Sequence, residues 1–155
     1  MLLDQTEVES FRRFVIEAEP RLRQALSATL GSDTGVDATA DCLSYAWEHW
    51  DRVAAMENPV GYLFTIGKNK GRRWLRRRRP VFYAVEPEQS MWVEPGLPRA
   101  LEQLSERQRV VVVLLYCFDW SMAEVGELLG VTKSTVQNHA ERGLTTLRSS
   151  MGVDL

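Results

Sequence analysis

Residues 69 to 80, NKGRRWLRRRRP, hold six arginines and one lysine around a single tryptophan, with no acid among them. Guanidinium groups at that density neutralise phosphates, and an aromatic ring among them offers a face on which a base can stack. The rest of the chain does not share this charge. Its 155 residues carry 19 Lys and Arg against 21 Asp and Glu, a formal charge of -2. Residues 59–79 nevertheless contain eight basic residues and no acid, whereas residues 1–58 contain eleven acids and five bases. A basic segment set in a slightly acidic chain points to one local polyanion contact. The plainer readings stay open: a solvated helix end for Arg76, Arg77, Arg78 and Arg79, and a core anchor for Trp74.

A second constellation lies at 121–148, SMAEVGELLGVTKSTVQNHAERGLTTLR. Met122, Val125, Leu128 and Leu129 fall on one face of a first helix, and Val136, Ala140, Leu144 and Leu147 on one face of a second. Gly130 supplies the left-handed residue between them, Gly126 sits where they approach, and Thr132 or Ser134 can cap the second. This is the pattern of a helix-turn-helix. Its outward positions are Lys133, Ser134, Thr135, Gln137, Asn138, Glu141 and Arg142, polar groups able to meet base edges and phosphates in a major groove. A plain helical hairpin would need neither this turn nor this outward face.

The elements that must position these residues are all helical. Val8, Phe11, Val15, Leu22, Leu26 and Leu30 predict a first amphipathic helix, bent or interrupted near Pro20. GSDTGVD breaks the pattern, and Asp37 or Thr39 is the expected cap of the next helix, whose stripe is Leu43, Ala46, Trp47 and Trp50. Asn58-Pro59 opens a third, with Leu63, Ile66, Lys70 and Trp74 along one face. Residues 80–98 contain four of the six prolines and read as a linker. Its Val81, Phe82, Tyr83, Met91, Trp92 and Val93 are bulkier than a spacer needs, so part of it should pack on a domain or occupy a partner's channel. Ser105 with Gln108 forms a capping box, and the apolar run Val110 to Phe118 predicts a buried helix. The expected fold class is all-α: two small helical domains, 1–79 and 99–155, joined by the linker 80–98, the second a helix-turn-helix domain.

Several function classes fit poorly. Cys42 and Cys117 are far apart and lack metal-ligand spacing, so neither a zinc site nor a disulfide framework is expected. His49 and His139 have no catalytic partner by spacing, and no phosphate-binding glycine loop or nucleophile elbow occurs. The expectation is therefore a protein without enzymatic activity, metal or cofactor, and without a small-molecule substrate. The start of the chain has no signal pattern, and the longest apolar run is too short to span a bilayer, which predicts a cytoplasmic protein without membrane insertion.

The segment LEQLSERQRVVVVLLYCFDWSMAEVGELLGVTKSTVQNHAERGLTTLR resembles promoter-binding region 4 of bacterial RNA polymerase sigma factors. ATADCLSYAWEHW followed by NPVGYLFTIGKNKGRRWLRRRR resembles sigma region 2. Two regions and a short linker are the layout of the extracytoplasmic-function (ECF) subgroup. The resemblance implies core RNA polymerase and promoter DNA as partners, with an anti-sigma factor as a frequent third. Region 4 would read the upstream duplex element through Lys133, Ser134, Thr135, Gln137, Asn138 and Arg142. Region 2 would hold the single-stranded element through Tyr62, Lys68, Asn69, Arg72, Arg73, Trp74, Arg76, Arg77, Arg78 and Arg79. Asn69 falls where the family places an asparagine at the pocket for a flipped base, and residues 52–61 correspond to its base-capturing loop. The polymerase clamp contact maps to Asp41, Ser44, Tyr45 and Glu48. Two departures stand out: Ser44 and Tyr45 replace the family's Gln and Glu, and Arg73 stands where the family has an acid. The alternative function is a LuxR-type helix-turn-helix regulator, which STVQNHAERGL also resembles, binding duplex operators without replacing the sigma subunit.

Overall fold

The computed structural model describes residues 4–77, 81–82 and 95–152, and every regular element among them is a helix. Helix α1, Gln5–Leu30, opens on a capping box: the Asp4 carboxylate accepts from the Glu7 amide at 2.8 Å, and Glu7 returns the bond to the Asp4 amide at 3.0 Å. The helix runs without interruption through Pro20. The proline removes the donor for the Ile16 carbonyl, but Ile16 is 70% exposed, so water can satisfy that group. Helix α2, Ser32–Glu48, follows after Gly31 alone. The expected cap at Asp37 or Thr39 is therefore wrong, because both lie inside this helix. Its first turns form despite poor local propensity because Thr34, Gly35 and Ala38 are buried against α1, and the Thr39 hydroxyl donates to the Gly35 carbonyl at 2.7 Å.

Helix α3, Trp50–Ala54, is a short turn. Helix α4, Pro59–Trp74, starts with Asn58 as N-cap and Pro59 in its first turn, then tightens into a 3-10 turn at Leu75–Arg77. Leu22, Leu26, Leu30, Ala38, Cys42, Ala46, Val53 and Leu63 form the core of this first domain. Phe11, Phe14, Trp47 and Trp50 cluster at its amino-terminal end, with centroids 5.0 to 5.2 Å apart for the pairs that include a tryptophan.

The second domain begins with α5, Leu97–Glu102, two residues inside the segment read as linker. Helix α6, Glu106–Val112, carries the expected Ser105–Gln108 capping box and continues as a π turn over Val113–Cys117. The apolar run is buried only as far as Leu114; Tyr116 is 55% exposed. Helices α7, Met122–Leu129, and α8, Lys133–Met151, complete the domain, with Val125, Val136, Ala140 and Leu147 inside.

The two domains pack on each other, α1 against α6 and α4 against α7. Arg109 sits at the junction, 7% exposed. It donates to the Ala28 carbonyl at 2.7 Å and the Thr29 carbonyl at 3.0 Å. The last turn of α1 has no basic residue of its own, so an arginine from the other domain meets its negative end. Phe82, from the linker, is buried over the same guanidinium, and the Val81 carbonyl accepts from the Ser32 amide at 2.9 Å. Part of the linker is thus packed, as its bulky residues suggested. Tyr83, Met91, Trp92 and Val93 lie outside the described residues.

Candidate nucleic-acid and polymerase interface

Helix α4 is built to press one face inward and leave the other bare. A Cβ on Gly67 would meet Leu26 Cδ1 at 2.8 Å, and one on Gly71 would collide with Leu30 Cδ1, so α4 lies unusually close to α1. Gly61, Leu63, Phe64, Gly67 and Gly71 are buried; Asn69, Arg72, Arg73, Trp74 and Arg76 are exposed. Trp74 is 39% exposed, so it is not the core anchor that was one of its two readings. Arg77 ends the 3-10 turn, and Arg78 and Arg79 lie outside the described residues. Lys68 lies 5.2 Å from the Phe64 ring centroid. Partial burial first, then Arg72 and Arg107, lowers its pKa against the opposing pull of Glu106.

Two of the clamp candidates lean toward this same face. Asp41 Oδ2 receives Lys70 Nζ at 3.5 Å, a half-exposed pair whose contribution is at most about 1 kcal/mol. Tyr45 stacks on His49 at 4.2 Å, shares a hydroxyl contact of 3.1 Å with Tyr62, and accepts from Arg52. The Tyr62 hydrogen bond is the main cause that raises the Tyr45 pKa. Tyr45 therefore joins α2 to Arg52, at the start of the segment 52–61, and to Tyr62 on α4. Spacing could not show this, because the three residues belong to three elements. Ser44 and Glu48 stay exposed on α2.

The loop 52–61 is anchored by Asn58. Its Oδ1 accepts from the Gly61 amide at 3.0 Å, while its Nδ2 donates to the Glu127 carbonyl of α7 at 2.8 Å. Beside it, Arg21, Asn58, Trp120 and Glu124 line part of a crevice of about 130 Å³ between the domains. A drug-sized ligand needs about 300 Å³ or more, so this space suits waters.

In the second domain Gly130 is left-handed, φ 69°, and a Cβ on Gly126 would meet the Val131 carbonyl at 2.8 Å, so both glycines do what the sequence required of them. Thr132, not Ser134, caps α8: its hydroxyl accepts from the Thr135 amide at 3.2 Å. Lys133, Ser134, Gln137, Asn138 and Arg142 are exposed, and Thr135 is half-buried. Gln137 donates to Glu141 at 3.2 Å, one turn on. The result is a polar helix face with Lys133 and Arg142 at its two ends. Among the described residues no cluster of three or more His, Cys, Asp or Glu is placed to hold a metal ion, and no helix is long and apolar enough to cross a membrane.

Comparison with known proteins bears on these surfaces. Residues 96–147 match the family Sigma-70, region 4. The chain is 33% identical over 108 residues to RNA polymerase sigma factor CarQ of Myxococcus xanthus, a match covering 60% of each protein. It thus spans about 60% of the length of that curated relative. Its fold resembles sigma factor RpoE from Bartonella quintana, solved in complex with the anti-sigma factor NepR: TM-score 0.69, 24% identity, 95% of this chain and 99% of that one. It also resembles CnrH, solved with the cytosolic domain of CnrY: TM-score 0.65, 24% identity, 96% of this chain and 91% of that one. These likenesses bear out the all-α class with two helical domains, and the reading as a LuxR-type regulator finds no support. Residues 96–147 are accordingly a Sigma-70 region 4 domain, and the resemblance of the chain to the extracytoplasmic-function sigma factors holds.

Proposed function

We propose that this protein is a sigma factor of the extracytoplasmic-function type, which binds core RNA polymerase and directs it to promoters. The observation that carries the reading is a pairing within one chain. A region 4 helix-turn-helix, with an exposed polar face on α8, is joined to a helix, α4, whose exposed face is basic and free of acid among its described residues. A duplex reader alone needs only the first of these; a protein that also holds melted strand needs both.

In this reading Lys133, Ser134, Thr135, Gln137, Asn138 and Arg142 read the upstream duplex. Tyr62, Lys68, Asn69, Arg72, Arg73, Trp74 and Arg76 to Arg79 hold the single strand near the start site. Asp41, Ser44, Tyr45 and Glu48 face the polymerase clamp. The domains are those read from the sequence, residues 1–79 and 99–155, with the second extended back to Leu97, where α5 begins. The solved relatives were captured with NepR and with CnrY, so an anti-sigma partner is part of the proposal. The protein performs no catalysis of its own, and it works where polymerase and chromosome meet, in the cytoplasm. The test is reconstitution. Core enzyme alone should not initiate at a promoter that this protein serves, and core enzyme plus the protein should do so at a defined start. Specific duplex binding with no dependence on core enzyme and no initiation would refute the proposal.

A further inference from the structure

In the closed chain, groups of the first domain's nucleic-acid face already have partners, and those partners come from the second domain. Arg72 Nη2 lies 2.7 Å from Glu106 Oε2. Asn58 donates to the Glu127 carbonyl at 2.8 Å, in the last turn of α7, where helix carbonyls carry partial negative charge. On the same flank Arg21 pairs with Glu124 and lies 5.0 Å from the Trp120 ring centroid. A carboxylate offers an arginine the same two-oxygen, negatively charged acceptor as a phosphate. We infer that the acidic side of α6 and α7 is an internal competitor for nucleic acid: it occupies Arg72 and Asn58 in the closed chain and must leave before a single strand can take its place. This rests on the reading of α4 and its loop as a single-strand site.

The exposed ion pairs cannot hold the closed form by themselves, because such pairs contribute little. The junction does. Arg109 is buried on the carbonyls of Ala28 and Thr29, Trp120 Nε1 donates to Gln24 Oε1 at 2.9 Å, and Phe82 covers the Arg109 guanidinium. Phe82 belongs to the linker, five residues past the 3-10 turn. Drawing the linker out along a partner strips the ring from the guanidinium and loosens the junction. The outer face of α8 takes no part in the closure, since Lys133, Ser134, Gln137, Asn138 and Arg142 are exposed. Duplex reading is therefore available in the closed chain while the single-strand face is covered.

The test uses the full chain at constant salt. X-ray scattering measures the radius of gyration, and fluorescence anisotropy measures affinity for a labelled short single-stranded DNA and for a labelled duplex. Phe82→Ala should expand the chain and strengthen single-strand binding about tenfold, as expected if roughly nine-tenths of the free protein is closed. Glu106→Gln should strengthen it about twofold to threefold, as suits one exposed pair. Glu106→Arg, which leaves the core untouched, should repel Arg72 and act in the same direction even if Phe82→Ala folds poorly. Duplex affinity should stay unchanged in the Phe82→Ala and Glu106→Gln variants. An expanded chain that binds single strand no better than the parent overturns the competition, and variants that do not expand overturn the closure. If open and closed forms alike fail to bind single strand, and Arg72→Ala changes nothing, the single-strand reading of α4 is itself wrong. The Arg72→Ala arm separates that outcome from a failed competition, and the scattering result separates both from a failed closure.

Discussion

The guanidinium carbon of Arg109 lies 3.9 Å from the centroid of the Phe82 ring, with the carbonyls of Ala28 and Thr29 on its nitrogens. One side chain thus joins the end of α1, the start of the linker and the first long helix of the second domain. Burial lowers the Arg109 pKa while Glu106 and Glu102 raise it, and an arginine under such conditions stays protonated. The charge is satisfied by carbonyl dipoles and a π face.

Replacing Arg109 with Met should destabilise the protein strongly for a single change. It keeps much of the volume but leaves two carbonyls at the negative end of α1 without donors. A buried acceptor left unsatisfied costs about 1–3 kcal/mol. Urea unfolding should show a lowered midpoint, with loss of cooperativity between the domains. An unchanged midpoint would mean that water replaces the arginine without cost.

The capping box of α7, with the Arg21 pair that joins it to α1, should weaken in acid. The Glu124 carboxylate accepts from the Ser121 amide and hydroxyl and from Arg21, which moves its pKa down from 4.5 to about 2. A depressed carboxylate contributes stability that is complete above pH 4.5 and is lost as pH falls toward 2, where the folded group finally takes up its proton. The side chain is 34% exposed, so solvent screening keeps the effect below about 1 kcal/mol. Glu124→Gln should lower stability at neutral pH and flatten the decline in that window, measured by unfolding midpoints on either side of it.

On α8, the proposed duplex reader, truncating Lys133, Gln137 or Arg142 to Ala should weaken duplex binding. A contact to a base edge should be worth about 1–3 kcal/mol and be selective for one base. A phosphate contact should lower affinity evenly across sequences and flatten the salt dependence. Gln137 already bonds to Glu141, so its release from that partner reduces its net effect. Footprints unchanged after all three substitutions would remove α8 from the proposed site.

The exposed arginines and Asn69 should separate in kinetics. Changing Arg72, Arg73 and Arg76 to Ala should weaken binding to any single strand and reduce its salt slope, since fewer counterions are released. Asn69→Ala should leave duplex affinity nearly intact and slow strand opening, because holding an extruded base must offset a few kcal/mol of lost stacking. Permanganate probing of open complexes beside salt titrations reads both effects. Normal opening by Asn69→Ala would exclude it from a base pocket.

The sequence by itself determined most of the local structure. The helix start at Asn58-Pro59, the capping box at Ser105, a cap at Thr132 or Ser134, the left-handed Gly130 and the inward stripes of α7 and α8 depend on residues within a few positions of each other, and such spacing is legible in a string. The charge segregation of residues 59–79 marked the candidate nucleic-acid face for the same reason. Only the tertiary structure decided the rest. GSDTG became the first turns of α2 because α1 buries them, against their own propensity. Trp74 stayed on the surface at the last turn of α4, past the close contacts that Gly67 and Gly71 make with Leu26 and Leu30 of α1. Tyr45 turned out to meet Tyr62 and Arg52, and Arg109, which the sequence did not single out, closes the end of a helix some eighty positions earlier in the chain. Nothing in the spacing of residues announces such a partner, since which carbonyls a buried guanidinium will meet is settled only when the two domains come together.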